Sequence, residues 1–296
     1  MAKTKTLRKE SIFSLKNIVV TGLIIFYAVF LVIPIIMAFV GSFHKWNPLK
    51  GDFIYTGFEN YTRVFTNDLF WSSLSNTLIF TIVVIFFRIV IGLGIALILY
   101  SSIVKGKTFF RAAFYMPVVT PLVAVSFVWV WMYNPQMGLI NQILGTNINW
   151  LLNKDTALGS VIAMTIWKDY GYAVVLFLAG LYGLPKDCYE AAEIDGASGF
   201  SLFRYITLPL LKPMTLFVVI TSIISYLQTY IQILVMTEGG PGTSTYVTSY
   251  LIFDEAFVKY NFGYASAISF VMFIVIAIFT VFAFKITSDK EKGGAK

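Results

Sequence analysis

A single cysteine, Cys188, leaves no partner for an internal disulfide and no thiolate set for a Cys-rich metal site. One histidine, His44, excludes an all-histidine metal centre and offers little for histidine-based acid–base work, so no metal site is expected. Charge is scarce as well: 12% of the residues are Asp, Glu, Lys or Arg, where a soluble domain carries about 25%. Too little polar surface remains to coat a water-soluble globule. A soluble enzyme, a disordered chain and a nucleic-acid binder are all excluded on that ground. The excess of 22 Lys and Arg over 15 Asp and Glu forms no basic patch interleaved with exposed aromatics, so no nucleic-acid partner is expected. A nucleotide-binding loop is missing too. Gly106-Lys107-Thr108 has the tail of one, but Ser101 stands where the first glycine belongs and no strand precedes it. Energy for any vectorial work must come from a partner or a gradient, and the chain itself is expected to hold no cofactor.

What is abundant is apolar sequence, 58% of the residues. About 20 apolar residues cross the 30 Å hydrocarbon layer as a helix. Six such runs occur, at 18–40, 78–99, 112–133, 160–182, 214–236 and 265–285. Lys3, Lys5, Arg8, Lys9 and Lys16 precede the first, as in a signal peptide, but the run is too long for that role and no A-x-A site follows. The N-terminal tail, the loops 100–111 and 183–213 and the C-terminal end hold fifteen Lys and Arg; the loops on the other side hold five. That bias places both termini in the cytoplasm. The expected fold is an all-α membrane protein of six transmembrane helices. Its parts are a tail at 1–17, a first helix and extracytoplasmic loop at 18–70, a core at 71–285 and a tail at 286–296. The extracytoplasmic segments 41–77, 134–159 and 237–264 exceed tight hairpins, and 58–65 reads as a short amphipathic piece.

The cytoplasmic loop 183–213 differs from its short, basic neighbours. Pro185 suits a first helical turn, and Tyr189-Glu-Ala-Ala-Glu-Ile-Asp favours helix. Gly196 can stop that helix, and Ser198 can cap a second one. Asp187, Glu190 and Glu193 recur every three residues as an acidic ridge, which the anionic inner leaflet would repel. Ala191, Ala192, Gly196 and Ala197 allow close backbone approach. The combination reads as a helix that docks on another protein rather than on lipid.

Glu190-Ala-Ala, then Gly196, then Ile206-Thr-Leu-Pro209, resembles the EAA loop of binding-protein-dependent ABC transporter permeases. The longer strings from Tyr189 to Ser198 and from Ile206 to Pro213 are similar to the carbohydrate-uptake branch, the first permease of the pair in maltose- and glycerol-phosphate-type systems. Asn134-Pro135, Gly138-Leu-Ile-Asn141, Gly239-Gly-Pro-Gly-Thr-Ser-Thr245 and Phe262-Gly-Tyr-Ala-Ser-Ala267 agree with it. The likeness covers about 71–285. It implies a prokaryotic multi-pass cell-membrane protein with coupling helices between spans four and five. The coupling element would be Glu190, Ala191, Ala192, Gly196, Leu208 and Pro209. Implied partners are a second permease, two cytoplasmic ATPase subunits carrying ATP and magnesium, an extracytoplasmic solute-binding protein and a sugar or oligosaccharide. The chain would be a permease subunit and not an enzyme.

Within the spans, Arg88 is costly, about 2.5–3.5 kcal/mol near mid-membrane. Asp169 lies at similar depth with Lys168 beside it, and the depths predict an Arg88–Asp169 ion pair. Gly92-Leu-Gly94 reads as a close-packing site between spans. Ser225, Gln228, Thr229 and Gln232 fall at i, i+3, i+4 and i+7, one face of a helix. Such a face lines water or bonds to a neighbouring helix. Tyr226 and Tyr230 flank it, a pairing suited to a neutral polyhydroxylated solute. Trp129, Trp131, Tyr133, Trp150, Trp167 and Tyr170 gather toward the outer interface, and Trp167 and Tyr170 are candidates to face the path. Asp254-Glu255 reads as a solvated carboxylate pair, and Gly239-Gly-Pro-Gly242 as a tight turn. A self-contained secondary transporter or channel is the alternative. It would show inverted repeats and broken spans, and the sequence shows neither. A membrane enzyme would need an acid, base or metal cluster, which is also missing.

Overall fold

The computed structural model describes residues 15–293. The basic residues Lys3, Lys5, Arg8, Lys9 and Lys296 lie outside the described residues. In chain order, α1 (Leu15–Tyr27) and α2 (Ile33–Ser42) are joined by a wide π-turn at Ala28–Val32 into one apolar rod. A hairpin of β1 (His44–Asn47) and β2 (Asp52–Tyr55) follows, then the short α3 (Glu59–Thr66). α4 (Asp68–Tyr100) has 33 residues, about 50 Å of helix. α5 (Lys107–Val119) and α6 (Leu122–Met132) meet at a 94° bend. α7 (Leu139–Leu144) lies in the next loop and α8 (Ala157–Tyr182) crosses back. α9 (Lys186–Ile194), α10 (Phe200–Leu202), a π-turn at Phe203–Thr207 and α11 (Leu208–Leu210) fill the long loop. α12 (Lys212–Leu227) and α13 (Ile231–Met236) stand where the fifth span was expected. α14 (Thr248–Phe253), a π-turn at Asp254–Val258 and α15 (Phe262–Gly293) complete the chain.

Four helices are long and apolar enough to cross a membrane, and up to six segments cross if each bent pair counts as one span. The chain is thus a mostly helical, multi-pass membrane protein. Two expectations change. The fold is not wholly α, because β1 and β2 pair antiparallel from His44↔Tyr55 to Asn47↔Asp52. Asn47 makes that turn by accepting the amides of Leu49 and Lys50 through its side chain. The spans are also not all continuous. Thr120, forced extended by Pro121, parts α5 from α6. The fifth span is interrupted at Gln228–Tyr230 between α12 and α13.

α4 and α8 pack lengthwise as the centre of the bundle. Small residues allow it: a Cβ on Gly92 would stand 2.6 Å from the Cβ of Ala173. On the other side of α8, a side chain at Gly171 would collide with the Phe114 carbonyl of α5. Close approach of this kind supplies the dispersion contacts that hold helices together where lipid removes the hydrophobic drive. Gly94, by contrast, has open space around it. The buried side chains fall in three groups. One surrounds Phe80, Met164, Tyr226 and Ile233; one surrounds Leu99, Phe177, Leu181 and Leu211; the third joins Val64 and Phe70 to Tyr264 and Ile268. The rod 19–42 has none of its hydrophobic window buried.

Asp254 and Glu255, expected on a solvated face, are buried in the π-turn. Lys259 Nζ reaches Asp254 at 2.7 Å and Glu255 at 2.8 Å. Arg63 stands 3.8 Å from Glu255, and Asn261 donates to it at 3.0 Å. Partnering of this kind is what makes burial of two carboxylates tolerable. The segment 239–242 is a closed turn, with Gly240 N–H donating to the Thr237 carbonyl and Thr245 N–H to that of Gly239.

Candidate functional site

Two places hold the residues singled out in the sequence. The first is the loop between α8 and α12. α9 runs from Lys186 to Ile194 with Asp187 in its first turn, where an acid suits the helix N-terminus. It ends in a Schellman motif: Ala197 N–H donates to the Ala192 carbonyl at 2.9 Å and Gly196 N–H to that of Glu193 at 3.0 Å. The motif needs a left-handed residue, and Gly196 supplies φ +82°. Its Cβ position is open, so here the dihedral and not crowding demands glycine. The second helix starts at Gly199, φ +52°, without a side-chain cap from Ser198. Glu190 and Ala191 are exposed and Ala192 is half-buried. Ile194 and Phe200 are 87% and 73% exposed, leaving a small apolar patch beside the acidic ridge. The Tyr189 and Thr207 hydroxyls bond at 2.8 Å, tying α9 to the π-turn. Leu208 and Pro209 lie just beyond, opening α11. Leu211 is buried in the core, so the loop is fastened to the base of α12.

The second place is a half-open cavity of about 290 Å³ between α6, α8 and the fifth span, with Ser225 and Gln228 exposed at its rim. Leu122 of α6, Lys168 and Asp169 of α8, Ser225 and Tyr226 of α12, and the stretch from Gln228 to Gln232 line it. The expected stripe is therefore corrected in form. Ser225, Gln228, Thr229 and Gln232 do not share one helical face, because the helix stops at Leu227 and resumes at Ile231. The unwinding instead gathers them around one space, and Ser249 Oγ takes up the freed Leu227 carbonyl at 3.3 Å. Tyr230, in the break, stacks on Phe253 of α14 with centroids 5.7 Å apart. Trp167 and Tyr170 are not in this cavity. Trp167 lies 5.5 Å from the Trp129 ring and lines a separate apolar cavity of about 540 Å³ with it. Tyr170 packs edge-on to Phe114.

Arg88 and Asp169 meet through a phenol rather than directly. Arg88 Nη1 donates to Ser222 Oγ and to Tyr226 Oη, each at 3.0 Å. Tyr226 Oη donates in turn to Asp169 Oδ2 at 3.1 Å. Lys168 Nζ sits 3.6 Å from Asp169 Oδ1 and donates to the Val118 carbonyl at 3.2 Å. The Arg88 guanidinium also lies 5.0 Å from the Tyr172 ring centroid, a cation–π contact. Arg88 Nε is buried with no partner. Lys168 was already read beside Asp169 in the sequence; Tyr172 was outside the predicted site, because its place depends on how α8 turns toward α4.

Residues 88–289 match the family described as binding-protein-dependent transport system inner membrane component. The chain belongs to this family. As an inner membrane component it is a permease subunit and not an enzyme. It is 36% identical over 265 residues to the trehalose/maltose transport system permease protein MalF of Thermococcus litoralis, covering 87% of this chain and 88% of that protein. It is 32% identical to the sn-glycerol-3-phosphate transport system permease protein UgpA of Agrobacterium fabrum, covering 81% and 83%. In fold it is similar to a chain of a bacterial ABC transporter involved in the import of the acidic polysaccharide alginate. The TM-score there is 0.81 at 22% identity, over 93% of this chain and 95% of that one. A further structure of an alginate ABC transporter, in complex with a pentasaccharide-bound periplasmic protein, aligns with TM-score 0.79 and 22% identity over 91% of this chain and 92% of its own.

Proposed function

We propose that the chain is one transmembrane subunit of an ATP-driven sugar or oligosaccharide importer in a prokaryotic cell membrane. The α9 end faces the cytoplasm and the hairpin end faces outward, as the Lys and Arg bias of the loops supports. Glu190, Ala191, Ala192, Gly196, Leu208 and Pro209 form the coupling element, seated on a cytoplasmic ATPase that binds ATP and magnesium. Two such ATPases close against each other and rock this chain against a second permease, while a binding protein delivers solute on the outer side. The exposed acidic ridge with its apolar patch supports that seat, and the Tyr189–Thr207 bond supports transmission into α12. The apolar rod 19–42 supports contact with the lipid bilayer.

The polar cavity at the break of the fifth span is the observation that carries the solute assignment. Two amides, several hydroxyls and one ion pair face a space of about 290 Å³, at a break in an otherwise apolar span. Polar groups at that depth need water or a polar solute. Ser225, Tyr226, Gln228, Thr229, Tyr230 and Gln232 thus line the path, and Trp167 and Tyr170 do not. Broken helices and intramembrane charge also occur in self-contained secondary transporters. The two readings separate in proteoliposomes. Uptake of labelled disaccharide that requires ATP, the ATPase and the binding protein supports an importer subunit. Gradient-driven uptake by this chain alone would overturn it.

A further inference from the structure

Members of this family carry solutes of either charge class: the names of its relatives include trehalose/maltose and sn-glycerol-3-phosphate. Membership therefore leaves open whether this cavity takes a neutral or an anionic sugar. The charges in and behind its wall bear on that choice. Lys168 and Asp169 line the cavity, and Arg88 lies behind Tyr226. The two lining charges are not equally accessible. The Lys168 side chain is 10% exposed and the Asp169 side chain 26%. Lys168 is turned to the Val118 carbonyl, which leaves the carboxylate as the more accessible charge.

Resting on the reading of this cavity as the solute path, we propose that Asp169 sets the charge class, admitting uncharged polyhydroxylated solutes and rejecting anionic ones. One carboxylate edge is fixed by the phenol: Tyr226 donates to Oδ2 at 3.1 Å and is itself held by Arg88 at 3.0 Å. The lone pairs left over can accept hydroxyls of a sugar, in charge-assisted bonds stronger than neutral ones. The same negative charge repels a sugar acid or phosphate brought close to it. Asp169 also offsets Lys168, the other lining charge, at 3.6 Å, while Arg88 is kept off the lining behind Tyr226. Without Asp169, Lys168 stands unbalanced. A cavity whose lining carries that cation alone would favour anions. Tyr226 and Arg88 act as positioning residues, since neither supplies the accessible charge.

The test is equilibrium binding of two probes of like size, maltose and digalacturonate, to the purified permease–ATPase assembly without its binding protein. The wild type is expected to prefer maltose by about tenfold or more, the equivalent of one charge-assisted hydrogen bond. Asp169→Asn is expected to invert that order. Tyr226→Phe, which keeps every charge, is expected to weaken maltose binding while digalacturonate stays disfavoured. A merely structural role for Asp169 would lower both affinities together and leave their ratio unchanged, which overturns the proposal. Equal binding of the two probes by the wild type overturns it as well, even if the Asn variant does not assemble. Failure of both probes to bind the wild type would instead remove the cavity as the path, and the proposal with it.

Discussion

At φ +82°, Gly196 occupies backbone space that a side chain enters at about 1–2 kcal/mol. Asn tolerates that region and Val does not. Gly196→Asn is therefore expected to keep uptake near the wild-type level. Gly196→Val is expected to unwind the end of α9 and cut uptake about tenfold while ATP hydrolysis continues. ATP consumed per solute carried is the measurement; equal ratios for the two variants would place the glycine's role elsewhere. Tyr226→Phe removes the hydroxyl between Arg88 and Asp169 and leaves a buried cation short of an acceptor. A loss of about 1–2 kcal/mol is expected, read as a lower thermal midpoint of the assembly. An unchanged midpoint would mean that Ser222 alone suffices for Arg88. The sequence shows that Arg88 and Asp169 share a depth, because depth is counted along each helix. It does not show the phenol between them, because that depends on how three helices are turned toward one another.

Among the elements, breaks differ in how well the sequence announces them. Pro121 carries a signal of the α5–α6 bend in its missing N–H and its effect on Thr120, although the run 112–133 was read as one continuous span. The interruption at Gln228–Tyr230 has neither glycine nor proline, so periodicity runs straight through it and gives a false continuous stripe. The right residues were selected for the wrong geometry: polar side chains in an apolar run mark a wet place whether or not the helix persists. Asp254 and Glu255 were misread for a related reason, since their partners Arg63, Lys259 and Asn261 come partly from a distant element. Burial works against the Lys259 ammonium, but the hydrogen bonds it donates to Asp254 and Glu255, with their charge, outweigh it and raise its pKa above the ordinary 10.5. A raised folded-state pKa stabilises fully below the unfolded value and is lost as pH climbs through the folded one. The wild type is therefore expected to exceed Lys259→Met in thermal midpoint below about pH 10.5. The gap should narrow at higher pH, and a gap constant with pH would show that the ammonium contributes nothing.

For the molecule as a whole, the apolar runs were enough to expect a multi-pass helical membrane protein, because their length is set by the bilayer and not by side-chain packing, and the strings around Glu190 and Pro209 were enough to reach the family. The hairpin was missed since its strands, four residues each, are too short to show alternation against a background already rich in aromatics. The rod 19–42 stands apart in another way, its hydrophobic window wholly uncovered while the rest of the bundle holds three packed cores. It is seated at the α2 end, where Phe39 meets Phe270 of α15 with ring centroids 5.1 Å apart and the Ser42 and Tyr61 hydroxyls bond at 2.8 Å. The centre of the bundle does not depend on it. What does depend on it is parity. On the proposed count of six, striking out one traverse leaves an odd set, and the six Lys and Arg of the loops 100–111 and 183–213 still pin the remainder. A chain shortened to begin after Ser42 is expected to thread the membrane in the old sense, with a reporter at its new leading end stranded on the opposite face and one at its trailing end unmoved.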